Sequence, residues 1–278
     1  MSCNMTTIRR FHSVALFTVL TTAMAPLGAQ PSRSVTNVER RPIAVLLRHS
    51  VWVPAVNAPL FVLYDDGTAL YPQNRANLYP TEYLAVQLLP DDAPALLATV
   101  GIGCDVFALD SLYDLAPNTT DLTSLLLYVW RGDSLARVAV RAGELRGDTL
   151  ATAVPEAFKK AYAGMMAFQS SVARPWHPKQ LEVAAWPYEY APDNPPVPWP
   201  KWWPSFADPA TVHQVDDIVG EVWRIRLPFD DFSQLRALLE QRRAKQAILI
   251  SGHKVAATYR LPFPGEERWR PYIKRDIR

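Results

Sequence analysis

Residues 174–209 hold eight aromatic side chains and ten of the chain's 25 prolines, and they carry the clearest binding chemistry in the sequence. Proline fixes φ and lacks a backbone N–H group, so this composition predicts a long extended loop. Each indole ring has a large flat apolar surface that must cover either the protein body or a ligand. The candidate ligand-binding residues are Trp176, Trp186, Trp199, Trp202 and Trp203.

This proline- and tryptophan-rich segment has three interpretations. In the first, its rings pack between prolines across the body of the protein and stabilise the fold. In the second, the rings form an exposed platform that stacks on sugar rings, peptides or proline-rich ligands. In the third, residues 195–200 (PPVPWP) are themselves a ligand that docks into an aromatic groove of another protein.

The titratable residues give no comparable signal for catalysis. The sequence lacks the H-E-x-x-H motif of zinc proteases and the G-x-S-x-G motif of serine hydrolases. Gly101-Ile102-Gly103 lacks the third glycine of a dinucleotide-binding loop. We therefore predict no catalytic residue, no metal site and no cofactor.

A hydrolytic site assembled by the fold is the alternative. The paired carboxylates of glycosidases can come from distant strands, so their spacing in the sequence does not reveal them. His213 followed by Asp216 and Asp217 is another arrangement that such a site could use, although this spacing also arises often by chance. Under this alternative the protein is a secreted hydrolase that acts on polymers of the cell envelope.

Apolar periodicity and turn residues predict the strands and helices that must position the tryptophans and the titratable residues. Alternating apolar residues around glycine-containing turns predict hairpins over 60–71, 125–141 and 247–260. Helical spacing predicts helices near 91–100, 155–169 and 231–239. This order predicts an α+β fold, in which antiparallel hairpins form one or two sheets and about three helices pack on one face.

The N-terminal residues have the layout of a secretory signal peptide. Arg9 and Arg10 precede a mostly apolar run over 11–25, and small residues precede Gln30. The apolar run is shorter than the roughly 20 residues that a transmembrane helix needs. We therefore predict cleavage near Ala29, export to the periplasm or the medium, and no stable membrane span in the mature protein.

Removing that leader changes the charge balance. The precursor has 29 basic and 27 acidic residues, and the leader carries two arginines and no acid, so the mature chain is neutral. A neutral chain gives no support for nucleic-acid binding. The predicted organisation is a leader over 1–29, a flexible arm over 30–41, a globular domain over 42–265 and a charged tail over 266–278. The domain is either a single body or two lobes over 42–170 and 175–265.

These observations together predict an exported, soluble protein without enzymatic activity. Its role would be that of a binding or structural module of the cell envelope. The expected partner is a cell-wall glycan, a peptide or an envelope protein. No nucleic acid is expected as a partner.

Overall fold

The first sheet is built from the strands of the N-terminal half. The computed structural model describes residues 40–49, 57–75, 82–89, 93–116, 123–141, 154–188, 190–191, 194–216 and 220–276. Eight strands in these ranges pair in the order β5-β7-β6-β1-β2-β3-β4-β8, antiparallel except for β5 with β7. They are β1 (Pro42–His49), β2 (Ala58–Tyr64), β3 (Thr68–Pro72), β4 (Tyr83–Gln87), β5 (Leu112–Asp114), β6 (Ser124–Arg131), β7 (Ser134–Arg141) and β8 (Arg174–Trp176).

The second sheet is built from the remaining strands. Its six strands pair in the order β10-β13-β14-β9-β12-β11, antiparallel except for β10 with β13. They are β9 (Gln180–Pro187), β10 (Val197–Pro198), β11 (Val212–Asp216), β12 (Gly220–Pro228), β13 (Ile248–Ile250) and β14 (His253–Arg260). All described residues, from position 40 onward, belong to one compact unit.

Four α-helices accompany the sheets in the described part of the chain. They are α1 (Ala93–Thr99), α2 (Glu156–Ala167), α3 (Phe232–Glu240) and α4 (Arg270–Asp276). Short 3-10 helices cover 104–108, 229–231 and 266–268. None of the described helices combines the length and the apolar character that crossing a bilayer requires.

Two hydrophobic clusters lie on the two faces of the first sheet. Val45 and Leu47 of β1 belong to the cluster that also contains the apolar residues of the second sheet, α3 and α4. Ala44 and Leu46 point to the opposite face and join the cluster that contains α1 and α2. Because both faces of β1 are covered, its sequence is a continuous apolar run rather than a polar–apolar alternation.

The structure confirms the mixed α+β class with mostly antiparallel sheets, and corrects its details. The helices number four in the described residues instead of about three, and they divide between the two clusters. The proline- and tryptophan-rich segment is not one continuous loop, because it contains β8, β9 and β10. Strand formation is possible there because the prolines of β8, β9 and β10 lie in short strands or at strand ends, where a missing N–H group disrupts the ladder least.

The C-terminal segment packs against the body of the protein. It begins with a 3-10 helix, continues into α4, and buries two apolar side chains, those of Trp269 and Ile273. Charged residues surround these two positions in the sequence, which is why the segment was predicted to be a charged tail. The predicted leader and residues 30–39 of the predicted arm lie outside the described residues.

Candidate functional site

The predicted tryptophans occupy different environments. Trp199 and Trp203 are 8% and 5% exposed and contact each other edge to face, with ring centroids 4.8 Å apart. Trp176 is half-buried and stacks on Phe263. Trp202 is 76% exposed. The packing of Trp199 and Trp203 in the core fits a role in stability, which leaves the exposed faces of the other rings for binding.

Trp186 lines an open cavity of about 500 Å³ at the second sheet. The cavity lies beside β9 and β14 and is closed on another side by the segment that follows α3. Hereafter this cavity is called the aromatic–cationic groove. It is lined by Trp186, Tyr188, Leu239, Arg242, Arg243, Ala244, Lys245, Gln246, Ala256 and Ala257.

The aromatic part of the groove comes from β9 and the residues that follow it. Trp186 is half-buried and pairs with Ala256 of β14 across the sheet. Cross-strand partners lie on the same face of a sheet, so the small side chain of Ala256 leaves the indole without a large cross-strand neighbour on that side. The backbone N–H of Tyr188 donates to the Lys254 carbonyl at 3.1 Å and extends this pairing beyond β9.

The cationic part of the groove is the turn between α3 and β13. The Arg242 Nε donates to the Leu239 carbonyl at 3.2 Å, at the end of the helix. The backbone N–H of Arg243 donates to the Gln246 side-chain oxygen at 2.9 Å. The Gln246 side-chain nitrogen in turn donates to the Pro195 carbonyl at 2.6 Å. These bonds hold the turn against the proline-rich segment and orient the Arg242 guanidinium.

The groove has a positive charge that nearby described acids do not balance. Arg242, Arg243 and Lys245 line it, and no aspartate or glutamate of the described chain does. Within the described ranges, none of these three side chains forms an ion pair with a carboxylate. The Arg242 side chain is half-buried, and this burial lowers the pKa of its guanidinium. The groove therefore combines aromatic surface with three cations that no acid of the described residues neutralises.

A second group of arginines, Arg224 and Arg260 of the second sheet and Arg270 of α4, contacts carboxylates. Glu182 accepts hydrogen bonds from Arg260 at 2.8 Å and from Arg224 at 2.6 Å. Arg260 also donates to Glu266 at 2.7 Å, and Arg270 lies 3.9 Å from the Glu182 carboxylate. Hereafter this group of five residues is called the buried charge cluster.

The chemistry of the buried charge cluster suits a structural role. Burial tends to raise the pKa of Glu182, but hydrogen bonding to Arg260 and the charges of the three arginines outweigh it and lower the pKa to about 2. A carboxylate that holds no proton at neutral pH and already binds guanidinium groups is poorly suited to act as a general acid. The cluster joins β9, β12 and β14 to the C-terminal segment.

The residues of the hydrolytic alternative are only partly within the described structure. His213 stacks on Trp223 with ring centroids 5.1 Å apart, and its Nε2 lies 3.8 Å from the Glu221 carboxylate. Both partners of that contact are about half exposed. The backbone of Asp216 ends β11, while Asp217 lies outside the described residues. Among the residues that the structure describes, no three His, Cys, Asp or Glu side chains are grouped as metal ligands.

Comparison with known proteins gave no match to a family model, to a curated protein sequence or to a solved structure. The groove must therefore be interpreted from its own residues. Sequence reasoning identified Trp186 as a candidate and missed its cationic neighbours. The signal that could have found them was the run QRRAKQ over 241–246, which places three basic residues and no acid between a predicted helix and a predicted strand.

Proposed function

We propose that the protein is an exported, non-enzymatic module that binds a cell-envelope ligand in the aromatic–cationic groove. One observation carries this proposal: Trp186 and Tyr188 line the same open cavity as three cations, and no acid of the described residues lines it. Ligand sites are concave and combine apolar surface with a few polar groups that orient the ligand, and the groove has both features. Of the five tryptophans predicted as ligand-binding residues, the proposal uses Trp186.

The cellular setting of the proposal comes from the sequence. The leader predicted over 1–29 would deliver the protein to the envelope, where glycans and peptides are abundant. The neutral charge of the mature chain gives no general attraction to anions, so selectivity would have to come from the local charge of the groove.

Intrinsic fluorescence tests the proposed binding. We expect fragments of envelope glycans to change the indole emission of the wild-type protein, and Trp186→Ala to remove most of that change. Trp202→Ala is the matched control, because Trp202 is exposed and lies outside the groove lining. An unchanged response in Trp186→Ala, or an equal loss in Trp202→Ala, would contradict the proposal.

The same fragments distinguish binding from hydrolysis. We expect them to be recovered intact after prolonged incubation, as judged by mass spectrometry. Cleavage products that disappear on His213→Ala substitution would instead favour the secreted hydrolase.

A further inference from the structure

We infer that the ligand of the aromatic–cationic groove is an anionic saccharide, whose sugar ring stacks on Trp186 or Tyr188 while its carboxylate or phosphate binds Arg242. This inference rests on the proposed function and names the chemical class of its ligand. It follows from three features of the groove: its aromatic surface, its arginine donors, and the proline-rich strand beside it.

The apolar lining of the groove suits a flat ring better than a bulky apolar side chain. Apart from Trp186 and Tyr188, the apolar residues that line it are Leu239 and three alanines. This described lining therefore forms no deep apolar pocket of the kind that anchors a peptide side chain. Two half-buried aromatic rings in an open cavity can instead cover the apolar face of a sugar and leave its hydroxyl groups in water.

The donors of Arg242 suit an oxyanion. Its Nε already donates to the Leu239 carbonyl, which orients the guanidinium. Within the described structure, its two terminal nitrogens have no carboxylate or carbonyl partner. A guanidinium presents these donors in a planar fork that matches the two oxygens of a carboxylate or a phosphate. Because Arg242 is partly withdrawn from water, an anion that reaches it meets a less screened charge.

The neighbouring strand disfavours an extended peptide as the occupant. Peptides that dock on sheets usually add a strand through backbone hydrogen bonds. The proline-rich segment bonded to Gln246 has prolines at 195, 196, 198 and 200, which lack N–H donors. The N–H groups of Val197 and Trp199 donate to the Ala247 and Leu249 carbonyls of the sheet. The proline-rich segment therefore has few backbone N–H groups left to donate to an incoming strand.

Calorimetric titration of the protein tests the ligand class. The probes are a galacturonic acid tetramer, a glucose tetramer carrying one phosphate, the two corresponding neutral tetramers, and a hexaglutamate peptide. We expect at least one acidic tetramer to bind at least about 10-fold more tightly than its neutral counterpart, which is the effect of one charge-assisted hydrogen bond. The carboxylate and phosphate probes show which oxyanion the groove prefers.

Variants of the arginines link that preference to the groove. We expect Arg242→Gln to reduce the acidic-over-neutral preference to less than about 3-fold, while Arg226→Gln leaves it unchanged. Arg226 is exposed on β12 and lies outside the groove lining, so it is a matched control. If Arg242→Gln fails to fold, Arg242→Lys replaces it: lysine keeps the charge and loses the planar fork of donors, and we expect a smaller acidic-over-neutral preference than in the wild type.

The outcomes separate this inference from the proposed function. Equal binding of acidic and neutral tetramers, lost in Trp186→Ala, would overturn the anionic ligand and keep the binding module. Preferential binding of hexaglutamate would overturn the saccharide class. Absence of binding by every probe would overturn both the inference and the proposed function.

Discussion

Two arginine-rich regions associated with the second sheet use the same side chain in opposite ways. In the buried charge cluster, Arg260 is shared between the carboxylates of Glu182 and Glu266. In the aromatic–cationic groove, Arg242 is half-buried and has no carboxylate partner among the described residues. An arginine whose charge is matched within the fold contributes to holding the fold together. One left unmatched at a cavity is available to an external anion.

The difference has an energetic consequence. Removing one partner from a buried ion network leaves a desolvated charge without compensation, which strongly destabilises the folded state. The described charged residues that line the aromatic–cationic groove are all positive. Removing one of them therefore leaves no desolvated charge without a partner. Stability measurements should therefore respond to the buried charge cluster, whereas binding measurements should respond to the groove.

The largest expected effect is that of Glu182→Gln on stability. The substitution leaves Arg224 and Arg260 beside a neutral amide, and we expect a loss of roughly 3–5 kcal/mol in the free energy of unfolding. Urea denaturation followed by circular dichroism measures it. Glu240→Gln is the control, because the exposed Arg236–Glu240 pair on α3 should contribute no more than about 0.5 kcal/mol. Similar losses in the two variants would show that the buried charge cluster contributes no more to stability than an exposed ion pair.

Lowering the pH should have a somewhat smaller effect on the free energy of unfolding. The pKa of Glu182 is lowered to about 2 in the folded protein from an ordinary value of 4.5. A lowered folded-state pKa contributes stability that is complete above pH 4.5 and is lost as the pH falls towards 2. We expect Glu182 to account for roughly 3 kcal/mol of the free energy of unfolding that is lost on acidification. Urea unfolding at successive pH values should show a shallower decline for Glu182→Gln than for wild type, and parallel curves would contradict the assignment.

The smallest expected effect is that of Arg243→Gln on stability. Arg243 is exposed, and its backbone N–H rather than its side chain holds the turn to Gln246. We therefore expect a change within about 0.5 kcal/mol in the free energy of unfolding, measured in urea as above. A loss above about 1 kcal/mol would show that the cations of the groove also support the fold.

Local sequence signals predicted the elements that depend on nearby residues. The first two hairpins were predicted from alternation around glycine turns, and Gly67 and Gly132 have the positive φ values of 82° and 55° that such turns use. The buried stripe of α2 followed from helical spacing, with Phe158 and Met165 fully buried. Strands β5, β8, β10 and β11 were missed. The first three have only two or three residues, too few for alternation to be recognised, and β11 (VHQVD) lacks a polar–apolar alternation.

The two arginine regions were hidden from the sequence for a physical reason. Glu182 and Arg260 are 78 residues apart and meet only because β14 pairs with β9. The groove likewise joins Trp186 to a turn more than 50 residues later. A charged residue in a sequence gives no sign of whether a distant partner will neutralise it. Trp186 could be proposed from its type, but its cationic surroundings depended on the fold.

The position of β1 affects how the protein can fold as the chain emerges from the ribosome. This strand is the first of the described strands in chain order, yet it lies between β2 and β6 in the interior of its sheet. Its pairing with β2 can form early, whereas its other edge must wait for residues 124–131. β1 is almost wholly apolar, and some 75 residues separate its end from the start of β6. Until those residues have emerged, one edge of β1 has no partner strand, and a chaperone that binds unfolded chains would be most useful during this period.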